Sequence, residues 1–228
     1  DQGNTRQRWI TYRDYMVYKN FTAASPLCPI NSLMTHGLMI SGFGNAGGNP
    51  PRAMEDDASA CTVAEITKEM RCAFACGSSL VELYIDHELM TNKENGKLWR
   101  ELAECIKWHR NNADVLDDTH WVGGNPWDGS KANIYGWASW NGEEAVLTLR
   151  NPSATEQSFT TTLRQALDIP DYITGSVILS DAFEGQTQYI GISNSKIDID
   201  ENITFNMPAF DVVVLNGICK SKKQHSYC

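Results

Sequence analysis

The chain has 228 residues, 42% of them hydrophobic and 21% charged, with a formal net charge of −9. That is globular material, long enough for one large domain or two smaller ones. The acidic balance argues against nucleic acid as a partner, because phosphate binding needs a concentrated basic surface, and no apolar run reaches the roughly 18 to 20 residues of a membrane span.

The chain opens DQGNTRQRWITYRDYMVYKN, in which Trp9, Tyr12, Met16 and Val17 recur at helical spacing while Arg6, Arg8, Arg13 and Lys19 lie mostly off that stripe. An amphipathic helix is expected. PINSLMTHG (29–37), mostly apolar between a proline and a glycine, reads as a buried strand. The Gly, Asn and Pro-rich SGFGNAGGNPPRAMEDDASA then has the length of a functional loop. Thr62 and Glu65 form a capping box, and Val63, Ile66, Met70 and Phe74 make the stripe of a second helix, ended by Gly77. SSLVELYID (78–86) is the next strand, and Leu98, Leu102, Cys105, Ile106 and His109 trace a third helix ending near Val115. Strands separated by crossover helices imply a parallel sheet.

From about residue 130 the pattern changes to short β-branched and aromatic runs: ANIYGWASW, EEAVLTLRN, EQSFTTTL, GSVILSDAF, SKIDID, NITFNM and FDVVVLNG. Turn chemistry bounds them, and Asn141-Gly142 between two alternating runs is a hairpin signal. An antiparallel β-sandwich of roughly seven or eight strands is expected. The boundaries are 1–116 for the α/β half, 117–130 for a Gly, Pro and Asp-rich linker, 131–219 for the sandwich and 220–228 for a tail that holds the one basic cluster, Lys220, Lys222 and Lys223. Two parallel strands with three helices leave unpaired edges, and a complete (β/α)8 barrel takes about 250 residues. Residues 1–116 are therefore expected to be the end of something larger.

Seven cysteines are present: Cys28, Cys61, Cys72, Cys76, Cys105, Cys219 and Cys228. No second Cys or His pair completes a tetrahedral set, so no metal is expected. Oxidised pairing is the better reading, with Cys219 to Cys228 the simplest local bridge, although connectivity cannot be read from spacing. Two glycosylation sequons begin at Asn20 and Asn202, while Asn151-Pro152-Ser153 is excluded by its proline. Together these favour a secreted or extracellular protein, its leader lost in maturation or encoded upstream. GFGNAGG lacks the setting of a dinucleotide fingerprint and there is no Walker lysine, so no cofactor is expected. No Gly-x-Ser-x-Gly elbow supports a serine hydrolase, and Cys72 and Cys76 sit inside a helix rather than at the N-terminus that favours a reactive thiolate.

RWITYRDYMVYKN, SPLCPINSLMTHG, EMRCAFACGSSLVELYID, LAECIKWHRNNADVLDDTHWVGGNPW and YGWASWNGEEAVLTLRNPS together resemble the C-terminal part of α-galactosidase-like glycoside hydrolases, in which a TIM barrel precedes an antiparallel β-sandwich. The likeness runs over most of residues 4–155 and is architectural beyond. It implies an α/β plus all-β fold: the last two strands and last three helices of a (β/α)8 barrel, then the sandwich. It also implies carbohydrate as ligand, α-galactoside-type glycans as substrate, and a polypeptide supplying the rest of the barrel as partner.

Glycoside hydrolysis commonly uses two carboxyl groups flanking the sugar. In such barrels these follow the fourth and sixth strands, so the resemblance puts both upstream of this chain. Asp1 lies near the place of the acid with no preceding strand to fix it. Barrel sites sit at the C-terminal ends of strands, which nominates Thr35, His36 and Gly37 after the first strand and Tyr84, Asp86 and His87 after the second. Thr35, His36, Tyr84 and Asp86 are the candidate substrate-binding residues. His36 would hydrogen-bond sugar hydroxyls or be satisfied by loop backbone; Asp86 would touch sugar or cap DHELM; Tyr84 would face the pocket or a helix; Glu82 reads as structural. Trp121, Trp127, Trp137 and Trp140 would stack on sugars, yet Trp137 and Trp140 have opposite parity, and burial at the junction of the halves is the stronger expectation. A different class of function is a non-catalytic, hydrolase-derived module that binds carbohydrate or serves an extracellular assembly.

Overall fold

The computed structural model describes residues 14–23, 28–40 and 58–223. Asp1, Trp9, Tyr12, the three early arginines, residues 41–57 of the expected loop and Cys228 lie outside the described residues.

Residues 14–22 are helical and include a π-helical turn at Tyr18–Thr22. Val17 is buried as expected, but Met16 is 41% exposed, and it is Asp14, 1% exposed, that turns inward. Asp14 and Val17 are three residues apart and share a face, whereas Met16 is two from Asp14 and points elsewhere. A buried ionic partner, described below, thus shares the inward face with Val17, and Met16 is the described residue that departs from the expected stripe.

A 3₁₀ turn at Ile30–Ser32 leads into β1 (Met34–Met39). The strand starts later than the sequence suggests and runs through Gly37 instead of ending there. Helix α1 (Val63–Phe74) begins where Thr62 accepts a hydrogen bond from the Glu65 amide at 3.2 Å. Its stripe, Val63, Ile66, Met70 and Phe74, is buried as the spacing predicts. The chain leaves the helix through Gly77 at φ +79°, where a Cβ would meet the Thr119 side chain at 2.2 Å. Then come β2 (Leu80–Tyr84), α2 (His87–Asn92), α3 (Lys97–Asn111) and α4 (Ala113–Leu116). Leu98, Leu102 and Cys105 of α3 face inward together with Trp108, whose indole donates to Asn216 Oδ1 at 3.1 Å. β1 and β2 pair in parallel, with Met34 opposite Leu80, Thr35 opposite Val81 and His36 opposite Glu82; after a bulge at Gly37, Met39 pairs with Tyr84.

The remaining strands are β3 (His120–Gly123), β4 (Tyr135–Trp140), β5 (Glu144–Arg150), β6 (Gln157–Thr162), β7 (Ile173–Asp181), β8 (Lys196–Asp198), β9 (Asn202–Met207) and β10 (Val212–Lys223). A short helix α5 (Leu163–Ala166) follows β6. Six strands form one sheet in the order β3-β4-β5-β10-β7-β8, and β6 pairs with β9 in another, every pairing antiparallel. The first strand comes from residues read as connector. The Asn141-Gly142 hairpin is present: Asn141 Oδ1 accepts from the amides of Glu143 and Glu144, and Gly142 takes φ +100°.

The six-stranded sheet is buried on both faces. Leu147, Leu149, Val213 and Leu215 pack toward Ile203, Phe205 and Met207 of the small sheet. Alternate residues, among them Trp137, Val146, Val212 and Val214, join Ile66, Met70, Leu98 and Cys105 of the helices. Double-sided burial is why β5 reads as a nearly continuous apolar run.

Candidate functional site

The candidate residues lie on and after β1 and β2. Thr35 is buried, its Oγ1 4.0 Å from Cys76 Sγ, and Val81 and Leu83 pack against the helical core. Alternation therefore assigns Met34, Leu80 and Glu82 to the opposite face. There Met34 is 51% and Leu80 58% exposed, directly opposite each other in register. One face of this parallel pair is thus covered by helices and the other presents apolar side chains to solvent.

Because β1 continues to Met39, Thr35 sits within the strand. Its register partner, Val81, is three positions before Tyr84, roughly 10 Å at the usual strand rise. His36 pairs with Glu82, two positions before Tyr84; its side chain lies outside the described residues. Tyr84 is half-buried against the helical core, and its carbonyl accepts from the Ile40 amide at 2.8 Å. Asp86 is the N-cap of α2, its Oδ1 accepting from the Leu89 amide at 2.7 Å. Next to it, the His87 ring lies 5.9 Å from Trp99, whose indole donates to Thr91 Oγ1 at 3.2 Å. The geometry gathers Tyr84 and Asp86 at the carboxyl end of the pair and leaves Thr35 deeper, turned toward the helices.

A cluster that the sequence reading missed joins the helices to the large sheet. Arg150, 1% exposed, donates through Nη2 to Glu69 Oε1 at 2.5 Å and through Nη1 to Cys72 Sγ at 3.2 Å, and lies 3.5 Å from Asp14. Tyr135 hydroxyl also donates to Asp14. Farther along the junction Lys68 pairs with buried Asp211 at 3.4 Å, and Asp211 accepts from the hydroxyls of Tyr189 and Thr187. Burial, reinforced by that carboxylate, pushes the Tyr189 phenol well above its ordinary pKa. Arg71 pairs with Glu101 at 3.3 Å, donates to the Glu184 carbonyl and lies 5.0 Å over the Phe183 ring.

Solved structures share this fold. A provisionally named alpha-N-acetylgalactosaminidase from Bacillus halodurans C-125 gives a TM-score of 0.51 at 13% identity over 92% of this chain and 44% of its own. A GH27 β-L-arabinopyranosidase from Geobacillus stearothermophilus gives 0.50 at 12% identity over 92% and 42%. The chain has an α-galactosidase-like fold. It spans less than half the length of either protein. No family model matches the sequence, and no curated protein matches it.

In this α-galactosidase-like fold Trp121 and Trp137 serve the junction. Trp121 stacks on Tyr135 at 4.9 Å and meets Trp137 edge-on at 5.3 Å, and Trp137 is 2% exposed. Trp140 packs against the other core, as its opposite parity requires. The expected oxidised pairing is not found among the described cysteines: Cys28, Cys61, Cys105 and Cys219 are free thiols. Cys76 Sγ donates to the Ala73 carbonyl, and Cys72 accepts from Arg150, so these helix residues act as core groups. Burial pushes the Cys105 thiol up to about 12. Cys228, the other half of the expected bridge to Cys219, lies outside the described residues. Among the described residues no group of His, Cys, Asp and Glu is placed to hold a metal ion, and no helix is long and apolar enough to cross a membrane.

Two signals for the buried cluster were present. Glu69 falls between Ile66 and Met70 on the stripe of α1, and Arg150 closes a strand in which Ala145, Val146, Leu147 and Leu149 are apolar and buried.

Proposed function

We propose that this chain forms the last two strands of a (β/α)8 barrel and the following antiparallel β-sandwich of an extracellular glycoside hydrolase acting on α-galactoside-type glycans. Residues 1–116 belong to the barrel, 117–130 to the link, 131–219 to the sandwich and 220–228 to the tail. The catalytic carboxylates lie on polypeptide outside this sequence, either preceding it or on a separate chain that completes the barrel. His36, Tyr84 and Asp86 contribute to the wall of the sugar pocket, while Thr35, turned toward the helices, packs behind the strand.

The observation that carries this reading is the parallel β1–β2 pair, helix-covered on one face and bearing exposed Met34 and Leu80 on the other. Such a pair fits an arc of a barrel, whose interior would be filled when neighbouring strands close around it. The fold likeness supports the same class. The two sequons, at Asn20 and Asn202, favour the extracellular setting.

The test is hydrolysis of a chromogenic α-galactoside by natively isolated protein. His36→Ala and Tyr84→Phe should each lower kcat/KM about tenfold, the worth of one lost hydrogen bond to sugar. Unchanged kcat/KM in both would remove these residues from the site. A second reading, a non-catalytic sugar-binding module, is favoured by the use of Asp86 as a helix cap, which engages the carboxylate at the end of β2. Binding of the same glycans without turnover would select it.

A further inference from the structure

The small β6–β9 sheet has an unusual outward face. Ile203, Phe205 and Met207 turn inward, while Ser158, Thr160, Asn202, Thr204 and Asn206 are exposed. Ser158 Oγ donates to Asn206 Oδ1 at 2.7 Å, and the hydroxyls of Thr160 and Thr204 meet at 2.8 Å. The face is made of hydroxyls and amides with no charge, in a chain whose residues are 21% charged. Both strand edges of this two-stranded sheet lack a further strand among the described residues, a condition that folds usually cover.

The same strand carries a sequon, and its geometry differs from that of the other. Asn202 and Thr204 are two apart in a strand, so amide and hydroxyl stand on one exposed face. Asn20 and Thr22 are two apart in a helical turn, where such residues do not face each other. The Thr22 hydroxyl is also buried without a hydrogen-bond partner among the described residues.

We propose that Asn202 carries an N-linked glycan rooted in N-acetylglucosamine, and that its inner sugars lie along Ser158, Thr160, Thr204 and Asn206, covering the outer face of the β6–β9 sheet. Sugar hydroxyls match the donors and acceptors of that face, and an uncharged surface imposes no desolvation of ions when they settle on it. The inference rests on the extracellular reading above.

The experiment is peptide mapping of the natively isolated protein after enzymatic deglycosylation in heavy-oxygen water, which marks each formerly glycosylated asparagine as labelled aspartate. Label at Asn202 is expected, with complete loss of the glycosylated peptide in Thr204→Ala and its retention in Thr204→Ser. Asn202 bare while Asn20 is labelled would overturn this inference and leave the extracellular reading standing. Both bare would overturn the inference and count against that reading as well. Covering is read separately: amide hydrogen exchange over residues 157–162 should be faster in Asn202→Gln than in the glycosylated protein, and identical exchange would remove the covering of the face.

Discussion

Arg150 at the end of β5 and Glu69 in the middle of α1 meet at 2.5 Å, each at 1% side-chain exposure or less. Asp14 stands 3.5 Å from the same guanidinium, so one arginine ties the opening helix, α1 and the large sheet together. Burying such a pair is costly, and removing one member leaves uncompensated charge in the interior. Arg150→Leu should therefore lower the unfolding free energy by about 3–5 kcal/mol, measured by urea denaturation.

The rotation of the opening helix gives a paired test. Met70 is fully buried in the helical core, whereas Met16 is 41% exposed although the apolar spacing nominates it for burial. Met70→Ala should cost about 2–5 kcal/mol. Met16→Ala should change stability by no more than about 0.5 kcal/mol. Thermal or chemical melts of the two variants check the ordering.

These positions show what was legible in the sequence. The α1 stripe, the N-cap at Thr62, the parallel β1–β2 pair and the Asn141-Gly142 hairpin follow from local rules of period and turn chemistry, and the fold carries each. Met16 and Thr35 fail those rules for the same kind of reason: a long-range partner decides which way the side chain turns. Asp14 finds Arg150 more than a hundred residues away, and Thr35 faces Cys76 because β1 runs on past Gly37. Sequence periodicity contains no information about such partners. The candidate site was legible only as far as its strand ends, because Tyr84 and Asp86 follow directly from where β2 stops.

Asp86 can be separated into its two roles. As the N-cap of α2 it accepts from the Leu89 amide. Asp86→Ala should cost about 0.5–2 kcal/mol, while Asp86→Asn, which keeps an acceptor oxygen, should be nearly neutral. A loss of sugar affinity in Asp86→Asn at unchanged stability would assign the residue to the pocket in addition to the cap.

The Cys105 thiol, pushed up to about 12 chiefly by burial, gives a pH signature. The native state favours the neutral thiol, and the unfolded chain ionises first as pH rises. Its contribution to stability is therefore complete below about pH 8.5, the ordinary thiol value, and is lost as pH climbs toward 12. Cys105→Ala should flatten the fall in stability over that range. At pH 8 the native Cys105 should resist iodoacetamide and react only on unfolding, as read by mass spectrometry of labelled peptides.

On the proposed reading, the Met34 and Leu80 face is closed by further barrel strands and the completed barrel cleaves glycosides. Native mass spectrometry of the deglycosylated protein from its source, with hydrolysis of a chromogenic α-galactoside measured on the same sample, tests it most directly. A polypeptide or complex heavier than 25.4 kDa that turns over the substrate is expected. A folded, homogeneous 25.4 kDa species with no partner and no hydrolysis would contradict it.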